Sequence, residues 1–160
     1  MSMLAIRQAI VQVLSSVPDI GMVQPFERYA ANLQALKQFY FSTTHNSVRG
    51  CHVRRLSTAI TGRIDDEVEH ARWRIVMLMA IDDDAQSEVT FDGLLEAVAA
   101  AFRTDDTLGD TVAQCTVPAD GGGSGEAGIQ LEDSGPAMFG GVLCHVARLS
   151  LNTIRYLEAP

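Results

Sequence analysis

The sequence predicts an α+β fold in which an antiparallel or mixed β-sheet carries a long hairpin and helices pack on one face. Three observations predict it. Apolar residues recur at helical spacing near the N-terminus and again over 91–102. Between Arg49 and Ile81 the period drops to two. Strand-like segments then return after the last helical stretch, an order that favours α+β over alternating β-α units. The string Cys-His-Val-x-Arg-Leu-Ser occurs twice, at 51–57 and 144–150, each time in a strand-like segment. The flanks of the two copies differ, so they read as two similar strand environments and not as a duplicated domain.

Each element follows from its residues. Leu4, Ile6, Ile10, Val13, Leu14 and Val17 define an apolar helical face that Pro18-Asp19 ends. A short extended piece is expected over 20–26. A second helix is expected over 29–41, with Leu33, Leu36 and Tyr40 on one face and a polar loop after it. Leu56, Thr58, Ile60 and Ile64 then alternate with Arg55, Ser57 and Ala59. Asp65-Asp66-Glu67 forms an acidic tip, and the returning strand places Ala71, Trp73, Ile75, Met77 and Met79 on one face. Arg72 and Arg74 share the other face with Val76 and Leu78. Thr90 is the expected N-cap of a helix carrying Phe91, Leu94, Leu95, Val98 and Phe102. Gly109 marks its exit, and 111–117 is expected as a strand. The glycine-serine run 121–125 lies in a flexible loop at about 119–128. Strands over 129–132 and 139–157, with a turn at Gly135-Pro136, complete the sheet.

Length and charge bound the function. The 160 residues suffice for one domain, 1–160, with a buried core. Twenty acidic against twelve basic residues leave a formal charge of −8, which repels nucleic-acid phosphate in bulk. The longest uncharged apolar run, 75–81, is strand length and far short of a bilayer span. Three irregularly spaced cysteines form no disulfide framework and fit a reducing cytoplasm.

The chemistry-bearing candidates are weak. Asp82-Asp83-Asp84 lacks EF-hand alternation, and Ser87 stands where that loop needs glycine. Cys51 and His52 are adjacent on a strand and point to opposite faces. A metal site would need Cys51 with Cys144, or His52 with His145, on neighbouring strands. The glycine run lacks a Gly-Lys-Ser/Thr ending, no Gly-x-Ser-x-Gly elbow occurs, and Asp105 and Asp106 lie in a post-helix turn. The expectation is therefore a protein that is not an enzyme, with no catalytic, cofactor or metal residues. Arg54, Arg55, Arg63, Arg72 and Arg74 lie along one hairpin with an acidic tip. Such a hairpin either mates with a neighbouring copy through complementary charge or satisfies itself with internal cross-strand pairs.

The whole layout resembles the tail terminator (tail-completion) proteins of long-tailed bacteriophages and prophages, the group that includes minor tail protein U. Phe26-Glu27-Arg28-Tyr29 resembles the aromatic-x-arginine step before that group's second helix. Val48-Arg49-Gly50-Cys51-His52-Val53-Arg54-Arg55 resembles its glycine-containing entry into the long hairpin, with Cys51 where an aromatic residue often stands. The block from Trp73 through Phe102 to Leu108-Gly109 resembles its strand, acidic turn, helix and Leu-Gly turn, and the closing strand from Met138 to Tyr156 is in place. The resemblance implies a ring of six subunits on the finished tail tube, in the virion tail after assembly in the host cytoplasm. Its partners would be itself, the tail tube protein and the head–tail connector, with DNA only as cargo through an acidic lumen and no membrane. The family carries no catalytic set, and the expected interface residues are Arg55, Arg63, Asp65, Asp66, Glu67, Arg72 and Arg74. The rival readings are a head–tail connector or neck protein, a small-ligand-binding or metal-dependent α+β module, and a monomeric regulatory module.

Overall fold

The computed structural model describes residues 2–115 and 128–158. Along the chain these form α1 (Met3–Ser16), β1 (Met22–Gln24), α2 (Leu33–Tyr40), β2 (Phe41–Ser42), β3 (Ser47–Arg63), β4 (Asp66–Ala80), α3 (Ser87–Thr104), β5 (Gln130–Phe139) and β6 (Val142–Tyr156). The strands make a mixed six-stranded sheet in the order β1-β3-β4-β6-β5, with β2 paired to β3. Only β1 runs parallel to its neighbour. The α+β class with its mixed sheet and long hairpin is thus observed. Among the described residues no helix is long and apolar enough to cross a membrane.

Alternation along β4 divides the interior in two. Ala71, Trp73, Ile75, Met77 and Met79 face the main core, where they meet Ile6, Ile10 and Leu14 of α1 and Phe91, Val98 and Phe102 of α3. The opposite side carries Leu78, which joins Val48, Cys144 and Val146 under Leu36 and Tyr40 of α2. The two long helices therefore share one face, as expected, and the short α2 covers part of the other. Gly50 makes that second layer possible. A Cβ there would lie 2.3 Å from the Met22 carbonyl oxygen and 3.1 Å from the Tyr40 ring, so a side chain would part β1 from β3.

Several local expectations are corrected. Helix α2 starts at Leu33, not at 29, because the Asn32 side chain accepts from the Ala35 N–H at 2.9 Å and caps it there. Helix α3 starts at Ser87, ahead of Thr90; its cap position is Gln86, in the left-handed region at φ 53°. The strand expected over 111–117 is absent from its described part. Leu108, Gly109 and Asp110 all have positive φ and wind the chain into a turn, and only Gln114 bridges to Ile154. Thr116, Val117 and the run 121–125 lie outside the described residues.

The last hairpin turns at Gly140-Gly141, with φ of 52° and 85°, not at Gly135-Pro136. Pro136 sits within β5, opposite His145. It is tolerated because β5 is an edge strand, where a missing N–H leaves no ladder bond unmade. A bulge at Leu56 also resets the phase of β3, so Arg55 opposes Trp73 while Ser57 opposes Arg72. Arg55 therefore falls on the same face as Thr58, which opposes Ala71, and the strict alternation expected across 55–60 is broken.

Trp73 is 1% exposed, and its indole N–H donates to Thr153 Oγ1 at 3.0 Å. Replacing Thr153 with Val keeps the shape but strands that buried donor. The expected loss is about 1–3 kcal/mol of stability, read from urea denaturation, with the sheet unchanged by circular dichroism.

Candidate assembly surface

The outer part of β3 forms an edge of the sheet, backed by β4, which β6 pairs in turn from Val68 to Ala80. From Gly50 to Val53 strand β3 is buried, with β1 along its outer edge at Gly50, Cys51 and His52. From Arg54 onward every residue of β3 is exposed, and its outer edge carries no strand among the described residues. Leu56, Ile60 and Ile64 stand 38%, 55% and 74% exposed there. A two-residue loop, Ile64-Asp65, joins Arg63 to its partner Asp66. Gly62 holds φ at 101° beside it, and a Cβ would strike the Asp66 carbonyl oxygen at 2.1 Å.

The expected interface residues separate into two groups. Arg72 and Arg74 lie on the face opposite the main core and both reach Glu132 of β5, Arg74 at 3.0 Å to Oε2. On the same face Arg148 pairs with Asp133 at 2.9 Å, and Arg54 with Glu27 at 3.0 Å. These arginines are thus held by carboxylates of their own chain. Arg55, Arg63, Asp65, Asp66 and Glu67 make no salt bridge among the described residues. Arg55 instead faces Arg7, whose guanidinium lies 5.4 Å from the Trp73 ring centre. Burial, and secondarily the Arg55 charge, lower the Arg7 pKa.

A second feature was not legible in the sequence. Between the 27–31 loop, α2 and the sheet lies a half-open cavity of about 310 Å³, walled by Tyr29, Ala31, Tyr40, His52, Leu78 and Phe139, with the charged Glu27 and Arg28 also in its lining. Tyr40 is 2% exposed and His52 5%, and the Tyr40 hydroxyl lies 3.1 Å from His52 Nδ1. Burial raises the phenol to about 12, with the Arg28 backbone N–H bonded to it acting in the other direction. Burial also lowers His52, against the pull of Glu27. Nothing in the spacing of Tyr40 and His52 marks them as partners; the pairing of β2 and β1 with β3 brings them together. At the mouth, Arg28 stacks on Phe39 at 4.0 Å and makes no salt bridge among the described residues.

The remaining candidates resolve as local structure. The twin strings flank β4 on opposite edges, so they are not neighbours. Cys51 opposes Met77 in the main core, whereas Cys144 opposes Ala80 in the second. His52 meets Tyr40, while His145 stacks on Phe91 at 5.6 Å and bonds Ser87 Oγ at 2.8 Å. Burial lifts Cys51 to about 12 and Cys144 to about 11, leaving both as unreactive thiols. Asp82 accepts from the Ala85 N–H, and its own N–H donates to Ser87 Oγ, building the turn into α3.

One serine–histidine–aspartate line does exist. Ser42 Oγ lies 2.8 Å from His45 Nδ1, and Asp19 Oδ1 lies 3.0 Å from His45 Nε2. Its burial is inverted relative to a nucleophilic triad, with Ser42 5% exposed and the Asp19 side chain 69% exposed. The line ties the 42–47 turn to the end of α1. No family model matches this chain, and no curated protein matches it.

The buried His52 makes stability depend on pH in a defined direction. Its folded pKa lies below the value of about 6.5 expected in the unfolded chain. The unfolded state therefore binds the extra proton first, and stability is complete above that pH and declines as pH falls below it. Urea midpoints at pH 7.5 and 5.5 should drop further for the wild type than for His52→Gln.

Proposed function

We propose that this chain is a structural subunit of the tail-terminator type. Its copies close into a ring on the end of a phage tail tube, stop the tube from growing and offer a surface for head joining. The bare outer edge of β3 carries the reading. A monomer gains nothing from leaving Leu56, Ile60 and Ile64 in water and, among the described residues, the edge of β3 from Arg54 to Arg63 without a strand partner. Fully burying one such side chain yields about 1.5–3 kcal/mol, so a neighbour covering that edge recovers energy that the isolated chain forgoes. Long exposed edges are also hazards that proteins normally cover or blunt.

Two further observations support the reading. The groups on the hairpin without ion pairs among the described residues, Arg55, Arg63, Asp65, Asp66 and Glu67, are of both signs, as head-to-tail contacts between identical copies need. The net charge of −8 suits a ring through which DNA must slide without sticking. Arg72 and Arg74, held by Glu132, act in this scheme by fixing β5 against the hairpin base.

Light scattering over a wide concentration range tests the proposal. The expected result is a discrete closed oligomer that Arg55→Glu/Arg63→Glu weakens by roughly tenfold or more in dissociation constant. A wild-type chain that stays monomeric throughout, and leaves purified tail tubes uncapped, would refute it.

A further inference from the structure

We propose that the cavity walled by Tyr40 and His52 is the receptor for the hairpin tip of a second copy of this chain, with Ile64 as the inserted anchor. This rests on the assembly reading above and names the contact that would make the ring.

The Tyr40 hydroxyl and His52 Nδ1, 3.1 Å apart, form the base of the cavity. Tyr29, Ala31, Leu78 and Phe139 supply apolar walls. Of the two charged residues in its lining, Glu27 is held by Arg54 at 3.0 Å, whereas Arg28 makes no salt bridge among the described residues. Its occupant needs an apolar knob and negative charge.

The hairpin tip has both. Ile64 is 74% exposed in a two-residue loop, and Asp65, Asp66 and Glu67 follow without salt bridges among the described residues. The tip cannot reach its own cavity. It starts at the Asp66 end of β4 while the cavity touches Leu78, a separation of roughly 40 Å at 3.3 Å per strand residue. The contact is therefore between copies and heterologous, the kind that closes rings.

Two variants test this in combination. Ile64→Asp removes the knob from an exposed tip, and Ala31→Trp fills the cavity mouth from an exposed loop position; neither touches the core. Each alone should weaken assembly by roughly tenfold or more. Mixed in equal amounts they should give a dimer, because one intact tip and one intact cavity remain to join. If either variant alone assembles like the wild type, or the mixture stays monomeric while the wild type assembles, the cavity assignment is overturned and the assembly reading stands. A wild type that never assembles overturns both. A second check is the Ile64→Cys/Ala31→Cys chain, which should form disulfide-linked oligomers under mild oxidation. The native thiols are each no more than 1% exposed and give little background.

Discussion

Strand β4 is paired on both sides along most of its length, with β3 on one edge and β6 on the other. A strand in that position has no freedom of register, because a slip of one residue would turn its whole apolar set to the wrong face. Trp73, Ile75 and Met77 can then seat α1 and α3, while Leu78 seats α2. Both cores hang on this one alternation. It also fixes the hairpin, since the outer part of β3 takes its register from β4.

The buried polar groups follow the same frame. Each joins two elements, the strands β4 and β6 through Trp73 on Thr153 and Glu69, 7% exposed, on Arg155, and a helix or its start to the sheet through His145 on Ser87 and Tyr40 on His52. Pairing offsets the cost of burial and makes each contact specific, because an unmatched partner is costly.

The two open edges of the sheet are treated differently. Edge β5 contains Pro136, a bulge at Glu132 and two carboxylates committed to arginines of the same chain, all of which discourage strand addition. The outer part of β3 has only the bulge at Leu56, and its Arg55 and Arg63 make no salt bridges among the described residues. Protection on one side and openness on the other give the molecule a polarity suited to head-to-tail contact.

The sequence by itself determined the elements whose signal is local. The period-two run from Arg49 to Ile81 gave the hairpin and the side of β4 that faces the core. The spacing of Phe91, Leu94, Leu95, Val98 and Phe102 gave the buried face of α3, and the acidic tip was legible as a turn. These follow from backbone geometry that each segment carries alone. Only the tertiary structure decided what depended on neighbours distant in the chain. It turned the twin Cys-His strings to opposite faces, because β3 and β6 take opposite edges of β4 at registers that differ by an odd number of residues. It kept Pro136 inside a strand, because that strand is an edge. It tied Arg72 and Arg74 to Glu132, and it brought Tyr40 and His52 around one cavity. A strand carries its alternation within itself, but which strand lies beside it, and in which register, is set by the packing of the whole sheet.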